Sequence, residues 1–314
     1  MSFMPRLSNL FFLPPRILPV FVCLFLLSAA IGLSRPAEAE SELPFGHGLL
    51  WQLEKEGAPT SYVFGTIHIA DQRVLNLPDV VLDALNRSER VIFELVFDAS
   101  VRTTMAQSMV LTDGRTLAQI LGPDLFEQSK AVAQSYGLPP QSLQLLKPWA
   151  LIPIFSFPPE QFALVAGGQA PLDEWLQIEV VRAGKRVVGL ETLAEQLALF
   201  EGASEEEQVA MLRAVVEDRD SVARQFQGML TSYLKRDLAS IYSEMLRQTE
   251  NELQDVEDFE VKFVIDRNHR MVERALPHLS SAPSFIAVGA LHLPGSEGII
   301  ALLQAEGYKV TRLY

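Results

Sequence analysis

The chain has 314 residues, 48% of them hydrophobic, with 26 Lys and Arg against 39 Asp and Glu for a formal net charge of −13. Such an acidic chain is a poor partner for nucleic acid or for anionic membrane surfaces. Its length suffices for a sizeable core without covalent staples, as one large domain or two small ones.

Arg6 and Arg16 precede an apolar run, 17–33, followed by the small-residue site Ala37-Glu38-Ala39. Together these describe a secretory signal peptide cut after Ala39, which sends the protein across the inner membrane to a periplasmic location. The alternative is an uncleaved N-terminal membrane anchor. Against it, the run is broken by Pro19, Ser28 and Gly32, and a span needs about 20 apolar residues. Cys23, the single cysteine, falls inside this run and lacks the small residue before it that a lipid-anchor site requires. Cleavage leaves no cysteine to act as nucleophile or metal ligand. The segment carries three Arg and one Glu, so its loss takes the net charge from −13 to −15. No membrane segment is expected after residue 39.

Leu49–Leu53 and Tyr62–Phe64 flank the polar turn Glu56-Gly57-Ala58-Pro59 and read as a hairpin. Asn76–Arg87 follows as a helix, with Pro78 in its first turn and Val81, Leu82 and Leu85 on one face. Arg90–Leu95 is the next strand and carries Glu94 where a buried strand favours an apolar residue. The order strand–helix–strand opens a right-handed α/β crossover. Thr116–Gln134 and Pro140–Leu146 read as helices. Ile152–Gly168, apolar and rich in Pro and Gly, reads as an irregular packed connection, with a cap over the site as the alternative. Leu172–Ala183 is a helix stopped by Gly184, and Lys185–Leu190 is a strand ending at Glu191.

From Thr192 to Leu276 the pattern is helical throughout, over 193–200, 204–216, 221–245 and 258–276, with a capping serine at Ser204. The acidic run 250–260 reads as a solvated face. The last unit is strand Phe285–Val288, helix Ser296–Glu306 and strand Tyr308–Leu313. The fold class is therefore α/β, a mixed sheet built from two strand–Gly-x-x-His half-units with a long all-helical insertion, about 192–276, between them. The insertion reads as a lid or a second layer.

Those half-units are the most informative feature. Tyr62-Val63-Phe64 leads into Gly65-Thr66-Ile67-His68, and Phe285–Val288 leads into Gly289-Ala290-Leu291-His292, in a chain with only five histidines. Glycine at a strand end lets the backbone turn or approach a ligand closely, hence Gly65 and Gly289 as supporting residues. The histidine is then delivered to the carboxyl rim of the sheet, where open α/β sheets bind ligands. His68, Glu94, Glu191 and His292 all stand at such ends. His and carboxylate together suit a divalent transition metal or Zn²⁺ that activates water; without metal they suit a general base and its orienting partner. Arg267 aligns with Val264, Met271 and Ala275 at helical spacing and faces inward, where a buried cation needs a carboxylate from Glu94 or Asp173. His47, His269 and His278 read as surface residues. No Gly-x-Ser-x-Gly elbow, Rossmann fingerprint or Walker loop is present. Gly295 and Gly298, without a following lysine, resemble a phosphate loop only weakly.

At these residues the sequence resembles the TraB/PrgY/GumN family, whose eukaryotic members include the Tiki proteins. The resemblance runs from about Leu49 to Leu313. It rests on Gly65–His68, Glu94, Leu172-Asp173 before Gly184-Lys185, Gly189–Thr192 with Gln196, Arg267-Asn268, and Gly289–Gly295 with Gly307-Tyr308. It implies one domain over 40–314 and a site of His68, Glu94, His292, Arg267 and Asn268. Tiki proteins are regarded as metal-dependent peptidases, so the resemblance implies a divalent metal (Mn, Co or Zn) on His68, His292 and Glu94, and a peptide or small-molecule substrate. Arg267 would stabilise developing charge and Asn268 would orient the substrate. Two positions depart from the family pattern, Pro171 and Lys235-Arg236-Asp237, both away from the site. Likeness to erythromycin esterases implies the alternative of a metal-independent hydrolase using His and Glu. PrgY-like members imply a non-catalytic, inhibitory peptide-binding protein.

Overall fold

The computed structural model describes residues 43–252 and 260–314. The expected signal segment and most of the acidic run 250–260 lie outside the described residues. Six strands form one mixed sheet: β1 (Leu50–Glu54), β2 (Ser61–Thr66), β3 (Arg90–Phe93), β4 (Arg186–Gly189), β5 (Ser284–Gly289) and β6 (Lys309–Arg312). Their order is β4-β3-β5-β2-β1-β6. β4, β3, β5 and β2 run parallel, and β1 and β6 add antiparallel beyond β2. This mixed α/β architecture is the expected one.

The central strands explain their own sequences. Every residue of β2 and of β5 is buried, as an interior parallel strand covered on both faces requires, and both read as continuous apolar runs. The edge strands β4 and β6 are largely exposed. β5 enters between β3 and β2, which sets the C-terminal half-unit directly beside the N-terminal one. Gly65 pairs with Val288 and Thr66 with Gly289. The two Gly-x-x-His segments therefore leave neighbouring strands in the same direction, one residue out of step.

Thirteen α-helices can be numbered among the described residues. The first seven are α1 (Gln72–Leu75), α2 (Asp79–Arg87), α3 (Ala99–Ser108), α4 (Leu117–Ser135), α5 (Pro148–Phe155), α6 (Pro159–Ala166) and α7 (Leu172–Arg182). The rest are α8 (Leu193–Glu201), α9 (Glu205–Glu217), α10 (Arg219–Leu234), α11 (Leu238–Glu252), α12 (Asp266–Leu279) and α13 (Ile299–Ala305). A π-helical turn, Val261–Ile265, leads into α12. Among the described residues, no helix is long and apolar enough to cross a membrane.

Several expectations change here. The segment 152–168 is not an irregular connection but part of two helices, and all of α5 is buried. Pro158 is the N-cap of α6 and Pro159 its first residue, where the missing N–H has no helical partner to lose; Pro153 lies inside α5. Pro140–Leu145 is a 3₁₀ helix. The expected helix 221–245 is two, because the chain turns at Arg236 (φ 61°). α4 is kinked at Gly122, whose φ of 73° is left-handed, just before Pro123. Glu94 stands one residue beyond β3 rather than within it. Nor is the insertion one body. α8 and α9 join α3 to α6 in a second apolar core around Trp149, Phe155 and Leu212. Residues of α10, α11 and α12, such as Phe226, Leu238 and Met271, belong to the core built on the sheet.

Candidate active site

The two glycines are small for identifiable reasons. A Cβ on Gly65 would lie 2.8 Å from Leu293 Cδ1 and 3.0 Å from Ala290 Cα, so the first motif packs backbone against the second. A Cβ on Gly289 would lie 3.2 Å from Glu94 Oε1 and 3.5 Å from His292 Cδ2. The carboxylate of Glu94 occupies that space and accepts the Gly289 N–H at 2.5 Å. Both glycines admit close approach of neighbouring protein atoms.

Each histidine is held by a different partner. After β2 the chain runs to His68, whose Nδ1 lies 2.8 Å from Asp173 Oδ2 at the start of α7. The Thr66 hydroxyl donates to the other oxygen of Asp173. After β5 a single 3₁₀ turn, Ala290–His292, brings His292 Nδ1 to 2.6 Å from Asn268 Oδ1. The Asn268 amide nitrogen donates to the Glu297 carbonyl at 2.8 Å, so Oδ1 is the atom left to accept from the imidazole. In the neutral rings both Nε2 atoms are then bare lone pairs. His68 Nε2 is buried and has no hydrogen-bond partner; His292 Nε2 is 3.8 Å from Glu94 Oε1.

Arg267, on the first turn of α12, ties the acids together. Its Nη2 donates to Glu94 Oε2 at 2.8 Å and to Glu191 Oε2 at 2.7 Å, and its Nε reaches Glu191 Oε1 at 3.0 Å. All three side chains are under a tenth exposed. Glu191 also accepts from Gln196 Nε2 at 3.0 Å. Of the two carboxylates expected for Arg267, Glu94 is a partner and Asp173, which serves His68, is not. Glu191 is a second, buried counter-ion. Asn268, at 1% exposure, is committed to His292 and the Glu297 carbonyl, and so is not free to orient a substrate. His47 and His269 are exposed as expected, whereas His278 is half-buried, with Nδ1 3.0 Å from Arg90 Nη1.

The electrostatics differ between the two rings. Burial opposes a charge on His68, but the Asp173 carboxylate outweighs it and raises the pKa. Burial, reinforced by the Arg267 guanidinium, drives His292 down to about 4, so it is neutral near pH 7. Burial would raise Glu94, yet His292, Arg267 and the Gly289 N–H together hold it well below the carboxylate range. His292 lies beside Glu94, and the charge on either histidine is felt at Glu94.

The chemistry of this donor set fits a divalent ion. Two imidazoles have tautomers fixed by an Asp and an Asn so that Nε2 is available, the arrangement by which outer partners orient metal-binding histidines, and an ionised carboxylate lies beside one of them. The side chains as they stand do not enclose an ion: among the described residues, no group of three or more His, Cys, Asp or Glu is placed to hold one. Glu94 is instead engaged by Arg267 and Gly289. Sequence reasoning missed Thr66 and Tyr233, whose hydroxyl donates to the Gly65 carbonyl at 2.9 Å. Neither has a local signal, since both act through tertiary contacts.

A model of the TraB/PrgY/gumN family matches residues 49–312. Metalloprotease TIKI1 of Danio rerio is 24% identical over 313 residues, covering 84% of this chain and 63% of the relative. Metalloprotease TIKI1 of Homo sapiens is 23% identical over 343 residues, with 92% and 67% covered. An uncharacterized protein of Treponema pallidum (strain Nichols) is 26% identical over 241 residues, covering 71% and 69%. The chain spans about three-fifths of the length of the first of these relatives. No solved structure matches it.

Proposed function

The chain belongs to the TraB/PrgY/gumN family, and from that premise we propose that it is a metal-assisted hydrolase of the metalloprotease type, acting on peptide bonds. The observation that carries the reading is the pair of imidazoles, delivered by adjacent parallel strands with both Nδ1 atoms engaged and both Nε2 atoms bare. Relatives named metalloprotease supply the reaction class.

In this reading His68, His292 and Glu94 hold the ion, of the Mn²⁺, Co²⁺ or Zn²⁺ type. When bound, such an ion polarises a carbonyl and acidifies water. The protein's own residues do the rest. Asp173 and Asn268 fix the ring orientations. Arg267 presents a cation to charge developing on the substrate oxygen, as preorganised donors do. Glu191 keeps the Arg267 guanidinium in place when Glu94 turns to the reaction, because Arg267 is bidentate on Glu191 and reaches Glu94 through Nη2. Export to the periplasm through the N-terminal segment belongs to the same proposal.

A second reading, hydrolysis without metal, draws on the engagement of Glu94 by Arg267 and Gly289 and on its 3.8 Å approach to His292 Nε2. There the His292–Glu94 pair would move the proton. Elemental analysis of the purified protein before and after chelation, with peptidase assays on both samples, separates the two. Bound metal whose removal abolishes hydrolysis, and whose uptake is lost in His68→Ala, supports the first reading. Activity that persists in chelator supports the second. Peptide binding with no turnover under either condition overturns both in favour of a non-catalytic binding protein.

A further inference from the structure

Tyr233 lies near the end of α10, within the long helical block between β4 and β5, yet its side chain reaches the sheet. It is 3% exposed, and its hydroxyl donates to the carbonyl of Gly65 at 2.9 Å. Gly65 is the glycine of the first Gly-x-x-His segment. Its N–H donates to the Leu49 carbonyl at 2.8 Å. Its α-carbon faces Leu293 and Ala290 of the second segment so closely that a Cβ would force Leu293 to shift. The residue that begins the path to His68 is thus held by Leu49 just ahead of β1, by the second motif and by the phenol.

The residues that follow are held from the other side. Thr66 donates its hydroxyl to Asp173, and His68 places Nδ1 2.8 Å from the same carboxylate. A three-residue segment tied at both ends has little freedom. Rotation of the Gly65 peptide plane would be carried through Thr66 and Ile67 to the imidazole, whose Nε2 has no partner of its own to restrain it. Burial and the nearby Asp173 charge keep the phenol protonated well above its ordinary range, so the hydroxyl remains a donor at any pH at which the protein works.

We infer that Tyr233 is a positioning residue for His68, acting through the Gly65 carbonyl and making the helical insertion part of the machinery that sets the site. The inference rests on reading His68 as a site residue. It gives the insertion a role other than that of a lid: α10 braces the strand from which the histidine departs.

The test is Tyr233→Phe in the full chain, which keeps the ring in the core and removes only the donor. Tyr136→Phe is the control; it deletes a hydroxyl of the second core that donates to the Phe157 carbonyl and accepts from Arg219, in place of any bond to Gly65. In metal-free protein, amide exchange at Thr66–His68 should speed by about tenfold in Tyr233→Phe, the scale of one lost hydrogen bond, and His68 imidazole NMR signals should move. Neither should change in Tyr136→Phe. Exchange and imidazole signals the same in both variants would overturn the inference, whatever the metal data say. Titration with Mn²⁺ is the separate arm. A wild type that takes no ion sinks the metal reading while the exchange result still decides on Tyr233. If ion binding occurs, Tyr233→Phe should weaken it by about tenfold, the lower end of outer-partner effects. Should Tyr233→Phe not fold, 3-fluorotyrosine incorporation strengthens the same donor without adding bulk. His68 signals that then fail to shift overturn the inference equally.

Discussion

Arg267 and Glu191 form a bidentate pair, with Nε 3.0 Å from Oε1 and Nη2 2.7 Å from Oε2, and both side chains are sealed from solvent. The same Nη2 also reaches Glu94 at 2.8 Å. Two carboxylates thus share one guanidinium. Such a triad adds little net stability over an apolar filling, because the ions must first be dehydrated, but its members are expensive to remove singly.

That asymmetry gives the first prediction. Arg267→Ala should lower unfolding stability by about 3–5 kcal/mol, the usual scale for stranding buried charge, since it leaves two buried carboxylates facing one another. Glu191→Ala should cost less, since Arg267 keeps Glu94 as its counter-ion. The double change Arg267→Met with Glu191→Leu should recover part of the loss. Urea denaturation of the three variants decides. A double variant as unstable as the sum of its parts would mean that the charges are not coupled as drawn.

The glycines separate stability from chemistry. Gly65→Ala drives a Cβ against Ala290 backbone at 3.0 Å and Leu293 at 2.8 Å, and overpacking of this kind costs about 1–3 kcal/mol. Gly289→Ala meets a side-chain carboxylate at 3.2 Å, which can shift. Its expected effect is a smaller loss of stability with Glu94 displaced from the Gly289 N–H. Thermal unfolding alongside metal uptake checks both. Equal destabilisation by the two substitutions would contradict the assignment of Gly65 to packing and Gly289 to Glu94.

How legible was this in the sequence? Gly65 and Gly289 were, because a glycine that ends an apolar strand and precedes a histidine is a local pattern. Arg267 was, because the 3.6-residue period puts it on the face with Met271 and Ala275, all buried here. The partner of Asp173 was not. Arg267 and His68 both call for a carboxylate, and only the packing of α7 beside the strand end, with Leu172 N–H on the Ile69 carbonyl at 3.3 Å, gives Asp173 to the histidine. α3 was missed because it is polar, with Met105 its one buried residue. The break after α10 was missed because Arg236 adopts φ 61° without the glycine that usually marks such a turn. In each case the information lay in tertiary contact rather than in local composition.

Acid behaviour follows from Glu195, which closes the capping box of α8 and pairs with Arg274 of α12 at 2.7 Å. Hydrogen bonds from the Arg274 side chain, and from Thr192, hold its pKa down to about 2. A carboxylate depressed in the folded state contributes stability that is complete above its unfolded pKa, about 4.3, and is lost as pH falls toward 2. Arg274→Gln should therefore flatten the stability profile between about pH 4.3 and 2 and leave its slope near pH 7 unchanged. Denaturation midpoints across that window measure it. Profiles that stay parallel would remove the Arg274 contribution.

The last prediction turns on the unlike anchors of the two histidines. His68 leans on the charged Asp173 and His292 on the neutral Asn268. Asp173→Asn preserves shape, and an amide oxygen can still accept from one neighbour. The carboxylate now takes both the Thr66 hydroxyl and the His68 ring, and the amide has only one oxygen to offer. Both bonds survive only if Oδ1 keeps the His68 ring and Nδ2 donates to the Thr66 hydroxyl with its role reversed, and in either case the negative charge that makes His68 the more basic ring is lost. If the ion-binding reading holds, Mn²⁺ affinity should fall by about 10–100-fold, the range for loss of an outer partner, while the fold persists. Asn268→Asp runs the opposite way. It places a fresh anion, 1% exposed at that position, beside His292 and near the Glu94 carboxylate. His292 should then become basic enough to titrate above its present value of about 4, visible by NMR in the metal-free protein. Were Asp173→Asn to bind Mn²⁺ as tightly as wild type while His68→Ala does not bind it at all, His68 would be a ligand that needs no anchor, and the matched roles drawn for Asp173 and Asn268 would be wrong.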